Sequence, residues 1–387
     1  MKSDLFICVP CHLDKDSIFK MTNAYTAHGF SKEYIDTLAD ISKSELVDRV
    51  SQSFNRKYLG VYRLPIYSDV GIEKGPIDEI DIDLFLTYCH KNYLGLVTIV
   101  IRDYQGNISQ VIDQVAREEL YIKDHNIKDF LYNDFSITKN GEAKLVLSQA
   151  ELNQDEILYY MATETSTSEL VETNIISKKY QKLSETNLAV YDFSDIYASD
   201  SLVYQVLEVD EHKLQYQGLL IFIVEILVMQ LAAIYRTNNK VTRALEENQR
   251  INVKEYELFS NEFANTLSIW QVDIYRYKGA QTIANDIKDS FGIQSVLNNY
   301  KQNDKFLQNI INTNNVKNSM FESWILFMIA IVLFFKELFL IVKNIITSIV
   351  DQTSFSDLDV ISSISSTSII IILVVSVYFI RKRKLEN

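Results

Sequence analysis

The chain has 387 residues, of which 47% are hydrophobic and 23% charged, and its formal net charge is -13. That acidity argues against a nucleic-acid groove as its main function. Three Pro and ten Gly are too few for a disordered linker protein, and three Cys are too few for a disulfide framework.

The first 212 residues read as a cytoplasmic α/β domain within an α+β chain. Leu5–Val9, Tyr58–Tyr67 and Gly95–Asp103 are rich in β-branched and aromatic residues and are bounded by turn signals, which predicts strands. Ile108–Glu119 places Ile108, Val111, Ile112 and Val115 at helical spacing. Further strands are expected at Leu145–Leu147, Ile157–Met161, Leu188–Asp192 and Leu202–Val209. The N-terminal apolar run is too short for a signal peptide, so this domain is expected in the cytosol.

Two clusters here carry candidate chemistry. Cys8-Val-Pro-Cys11-His12 matches the covalent haem-attachment pattern by letter, and it also fits a redox or metal pair or the plain end of a strand. Asp78, Glu79, Asp81 and Asp83 place four carboxylates in six residues, enough to hold or sense a hard divalent cation. The same acids, after Pro76 and ahead of an apolar run, also read as the first turn of a helix. No other cofactor is indicated. The five His have no zinc-ligand spacing, and no phosphate-binding glycine loop occurs. With no nucleophile–base pair in evidence, the chain is read as a non-enzyme.

Residues 213–322 are expected to form a long helical stalk. Gly218–Tyr235 is apolar on nearly every side yet carries Glu225 and Gln230. It reads either as a helix buried by protein or as a further membrane span. A charged Glu225 in lipid costs about 2.5–3.5 kcal/mol, which favours burial by protein over 213–237. Beyond it, Tyr256, Phe259, Phe263, Leu267, Trp270, Ile274 and Tyr277 recur at spacings of three and four, a coiled-coil-like seam. Phe291-Gly292-Ile293 interrupts the helix, and Val296–Met320 resumes it. The seam fits either an intramolecular helical hairpin or an oligomerisation bundle.

Residues 323–380 are expected to form a transmembrane hairpin, with 381–387 as a basic cytoplasmic tail. Ile361–Ile380 is a run of twenty residues without a charge, followed by Arg381-Lys382-Arg383-Lys384. About 20 apolar residues match the ~30 Å hydrocarbon core of a bilayer, and the basic cluster keeps the C-terminus inside. Trp324–Val350 is the other span, and an acidic connection, Asp351–Asp359, joins the two. Location in the plasma (inner) membrane with both termini cytoplasmic follows. The first span is interrupted by Lys336, Glu337 and Lys343. Lys336, Leu340, Lys343 and Thr347 share one helical face, and ionisable residues at membrane depth usually face a bundle interior or an aqueous path. Lys336, Lys343 and Thr347 are therefore pore-lining candidates, with Glu337 pairing between helices. The alternative is that these side chains snorkel to an interface.

A cytoplasmic α/β domain, a long helical stalk and two C-terminal spans resemble the layout of CorA-like membrane proteins over the whole chain. The Gly-Met-Asn tripeptide that ends the first span of the family's magnesium channels is absent, and Asn344–Asp351 stands in its place. The resemblance implies a homo-oligomeric pore in the lipid bilayer more than magnesium selectivity. By analogy it extends to defence effectors gated by a small cytoplasmic ligand. A ligand- or ion-gated channel or transport-type effector is the expected function. The alternative is a membrane-anchored scaffold that conducts nothing.

Overall fold

The computed structural model describes residues 2–13, 25–47, 54–67, 75–89, 93–149, 186–189, 192, 194–207, 213–246 and 274–351. They divide into two compact units, Met1–Asn303 and Asp304–Asn387. The fold is mixed α+β: a mixed sheet with helices, then long C-terminal helices.

The sheet of the first unit is built on β1 (Ser3–Leu13), an almost wholly buried strand. Such a strand must be covered on both faces, which is why it reads as a nearly continuous apolar run. β2 (Phe54–Ile66), β3 (Asp78–Cys89) and β4 (Leu94–Tyr104) form an antiparallel meander, and β4 pairs with β1. On its other side β1 pairs with β8 (Lys144–Gln149) over Ser3–Cys8 and with the short β7 (Ile137–Lys139) over Cys11–Leu13. Pro10 falls between these two pairings, where no ladder N–H is required. β10 (Leu202–Leu207) runs parallel to β8, and β9 (Ser194–Ala198) closes the far edge. The order is β2-β3-β4-β1-β8-β10-β9. β5 (Tyr121–Ile122) and β6 (His125–Asn126) form a separate small hairpin.

One face of the sheet is covered by α2 (Ile108–Ala116) and α3 (Ile127–Phe135). Their Val111, Ile112, Val115, Phe130 and Leu131 join Leu5, Ile7, Val9 and Cys11 of β1 in the main core. The other face is covered by α1 (Phe30–Glu45) and α4 (Lys213–Glu246), which pack against each other as well as against the sheet. Gly218 marks a close approach between them: a Cβ there would lie 2.6 Å from Ile41 Cδ1, so a larger residue would require the Ile41 side chain to move.

Several expectations are corrected here. Asp78–Asp83 is the start of strand β3, not a helix start. Its acids alternate with Ile80 and Ile82, a period of two that suits a strand. Of the strand expected at Leu188–Asp192, Leu188, Ala189 and Asp192 are not in a strand, and β9 covers Ser194–Ala198; the side chain of Asn187 accepts from the N–H groups of Ala189 and Ile196. Ile157–Met161 lies outside the described residues. α4 lies within the first compact unit and packs on its sheet. The seam does not continue helically to Tyr277. Tyr275 instead pairs with Leu46 in an isolated bridge, Ile274 is buried and Tyr277 is exposed. The seam positions from Tyr256 to Trp270 lie outside the described residues.

α5 (Lys278–Ser290) ends at Phe291-Gly292, where Gly292 takes a φ of 63°. That left-handed turn favours glycine. α6 (Ile293–Asp351) then runs for 59 residues.

Candidate functional site

Among the described residues two helices are long and apolar enough to cross a membrane: Lys213–Arg243 within α4, with mean hydropathy 2.3, and Ser319–Thr347 within α6, with mean hydropathy 2.7. Their surroundings are opposite. The apolar window of α4 is 83% buried, while that of α6 is 6% buried.

α4 can lie under the sheet because the one acid in its apolar stretch is fully neutralised there. Glu225 is wholly inaccessible, and its Oε2 accepts from Arg56 of β2 at 2.7 Å. Its Oε1 accepts from Thr98 Oγ1 at 3.0 Å, Thr87 Oγ1 at 3.3 Å and Tyr34 Oη at 3.4 Å. Sheet register assembles this cage. Arg56 stands opposite Thr87, and Phe85 opposite Thr98, so both threonines and the arginine project to the α4 side. Arg56 also donates to the Leu38 carbonyl, and its guanidinium lies 5.3 Å from the centre of the Phe222 ring. A buried carboxylate survives only when paired and hydrogen-bonded, and Glu225 is both. The interruption at Glu225 was visible in sequence. Its partner was not, since Arg56 sits in an ordinary strand 169 residues away.

The carboxylate also affects its neighbours. Burial, and then the Glu225 charge, push the Tyr34 hydroxyl well above its ordinary pKa. The same two causes raise the Cys8 thiol, with a hydrogen bond to Thr98 opposing them. Cys8 and Cys11 are both buried and free, but they do not form a pair. Strand alternation sends Cys8 toward Glu225 and Cys11 into the core under α2 and α3. The Cys11 thiol is raised by burial alone against a backbone hydrogen bond. His12 is only partly buried at the end of the same strand.

The acids of β3 are taken up by arginines on the neighbouring strands. Arg63 lies 3.4 Å from Glu79 and 3.7 Å from Asp81, all of them largely exposed; surface pairs of this kind are worth roughly 0–1 kcal/mol. Asp83 accepts from Tyr58 Oη at 2.8 Å and lies 3.5 Å from Arg102. Burial, then the hydrogen bond to Asp83, push Tyr58 up to about 12. Asp78 caps its own strand start by accepting from the Glu79 N–H. Among the described residues no three of His, Cys, Asp and Glu are grouped so as to hold a metal ion.

In α6, Lys336, Lys343 and Thr347 are exposed and Glu337 is half-covered. Thr347 Oγ1 donates to the Lys343 carbonyl one turn back, a local bond that leaves the hydroxyl oxygen free to accept. Around them Trp324, Val332, Phe335, Phe339 and Ile349 are each more than 60% exposed. Ile361–Ile380 and the basic tail lie outside the described residues.

Comparison with protein-family models, with curated proteins and with solved structures finds no match for this chain.

Proposed function

We propose that the protein is a membrane-anchored homo-oligomer of the CorA-like layout. It resides in the plasma (inner) membrane with both termini cytoplasmic, and it works as a ligand- or ion-gated channel or transport-type effector. The observation that carries this reading is the exposure of α6. A 29-residue apolar helix whose apolar window is only 6% buried leaves side chains in water that each gain about 1.5–3 kcal/mol on transfer to an apolar phase. Lipid and further copies of the helix supply that phase. The apolar run Ile361–Ile380 with its basic stop supports a second crossing.

The chemistry of α6 supports a path rather than a mere tether. Lys336 and Lys343 lie two turns apart on one side, with Thr347 one turn further. In an oligomer that side would face an aqueous axis, where charge is tolerated, and Glu337, about 100° away, would meet a neighbouring helix. Lysines lining a pore favour anions or hold cations back. The N-terminal unit would serve as the cytoplasmic sensing domain.

Ion release from liposomes holding the purified full-length protein, with its mass in detergent taken from the same sample, tests the proposal. A ring-sized oligomer that releases ions, with altered ion preference on Lys336→Glu, is the expected result. A monomer or dimer in tight liposomes would replace the channel with a scaffold that only tethers its N-terminal unit.

A further inference from the structure

A cleft opens at the end of the sheet where β1 begins and β4 ends, between the first turns of α1 and α4. It encloses about 340 Å³, toward the small end of the range for ligand sites, roughly 300–1,000 Å³. Its walls carry three carboxylates, Asp4, Glu33 and Asp103, and two cations, Arg102 and Lys213.

The five charges are not equivalent. Asp4 is buried and fully used: Oδ1 accepts from the Asp103 N–H at 2.9 Å, and Oδ2 from Lys213 Nζ at 2.6 Å and Gln217 Nε2 at 2.9 Å. Its role is to fix Lys213 and the start of α4. Asp103 lies 3.5 Å from Lys2. Arg102 is held flat, its guanidinium 4.1 Å from the centre of the Phe30 ring and 3.5 Å from Asp83. A guanidinium has five N–H donors and an ammonium three, so Arg102 and Lys213 keep donors to spare in the cleft they line. Glu33 lines the same cleft from the first turn of α1 and has no ion-pair partner among the described residues.

Spare donors in a rigid fork call for a carboxylate. An unpaired carboxylate calls for an ammonium. A simple anion would leave the Glu33 carboxylate without a partner, and a simple cation would leave the Arg102 and Lys213 donors unused. Phe30 and Leu214 add an apolar wall. We infer that this cleft binds a free L-amino acid with an apolar side chain, its carboxylate on Arg102 and Lys213 and its ammonium on Glu33. The inference is independent of the membrane reading, because binding is measured as heat and permeation as ion release.

Calorimetry on the full-length protein in detergent tests it with L-leucine and L-phenylalanine as probes. N-acetylleucine, which lacks the ammonium, and leucinamide, which lacks the carboxylate, dissect the two ends. A charged hydrogen bond is worth about 1.5–3 kcal/mol, so each truncated probe should bind at least about tenfold more weakly than leucine. Glu33→Gln should cost leucine a similar factor and leave N-acetylleucine unchanged. Arg102→Lys, which keeps the charge beside Phe30 and Asp83 but loses the fork, should weaken leucine and leave leucinamide unchanged. Glu33 is exposed, so its variant is expected to fold, and thermal unfolding checks both variants. Absence of heat with both amino acids at millimolar concentration overturns the inference. So does equal binding of leucine and its truncated forms, or displacement of leucine by inorganic phosphate alone.

Discussion

α4 and α6 are the two long apolar helices among the described residues, and hydropathy hardly separates them. What separates them is what the rest of the chain offers. α4 carries one acid in its apolar middle, and the sheet presents an arginine, two threonine hydroxyls and a tyrosine hydroxyl in register to receive it. Packing Phe222, Ile223, Val224, Ile226 and Val228 away from water contributes on the order of 10 kcal/mol. α6 carries charges of both signs, Lys336, Glu337 and Lys343, with no such cage among the described residues. A polar interruption in an apolar helix therefore has two physical meanings. It can be the fixed point of a protein core, or it can be the side of a membrane helix that turns away from lipid.

The sharpest way to break the comparison is to place the same charge in both helices. Leu227 in α4 is 2% exposed and Ile329 in α6 is 51% exposed. Leu227→Arg buries an unpaired cation, at a cost of several kcal/mol, and should leave the N-terminal unit unfolded while the protein still pellets with membranes. Ile329→Arg should leave that unit's thermal transition in place and weaken membrane insertion by about 2.5–3.5 kcal/mol, seen as extraction by carbonate. If Leu227→Arg strips the protein from membranes and Ile329→Arg does not, the roles of the two helices are reversed.

A smaller effect is expected from dismantling the Glu225 cage. Arg56→Ala leaves the carboxylate buried without its cation, a loss of about 3–5 kcal/mol, read as a lowered Tm of the N-terminal unit. Removing both charges, as Arg56→Met with Glu225→Leu, should cost clearly less than the sum of the two single changes, since neither ion is then stranded. Additive losses would mean that the pair is not coupled, and that α4 is held by its apolar contacts alone.

Much of the sheet was legible in the sequence because burial on both faces leaves a simple signal. Leu5–Val9 and Gly95–Asp103 fall inside β1 and β4, and Ile108–Glu119 contains α2. The acids of β3 misled because charge near an apolar run resembles a helix start, while the alternation with Ile80 and Ile82 carried the better information. The cation reading of those acids also overlooked Arg63 and Arg102, which stand beside them only once three strands are paired. Glu225 announced itself as a charge in an apolar run, but its partners come from α1, β2, β3 and β4. No local pattern encodes such a set, because it exists only through the register of the sheet. The amino-acid cleft was invisible for the same reason: Asp4, Glu33, Arg102 and Lys213 share no spacing.

The smallest expected effect concerns the place where α1 ends and the chain returns at Tyr275. Glu45 Oε2, Ser42 Oγ and Tyr275 Oη are buried without hydrogen-bond partners among the described residues, while the Arg276 N–H donates to the Glu45 carbonyl and Arg276 Nε to the Leu46 carbonyl. Burial raises the Glu45 carboxyl above its ordinary 4.5, and burial followed by the Glu45 charge raises the Tyr275 hydroxyl. A carboxyl whose pKa is higher folded than unfolded holds more protons in the folded state. Its contribution is therefore fully present below about pH 4.5 and is lost as pH rises through the folded value. Glu45→Gln keeps the shape, cannot ionise and offers an amide to Tyr275. It should raise the Tm slightly at pH 7, with the gain shrinking toward zero near pH 4. A gain that stays constant across that range would place the benefit in the new amide contact, and a loss at pH 7 would mean that the Glu45 charge is stabilised by neighbouring cations such as Arg276.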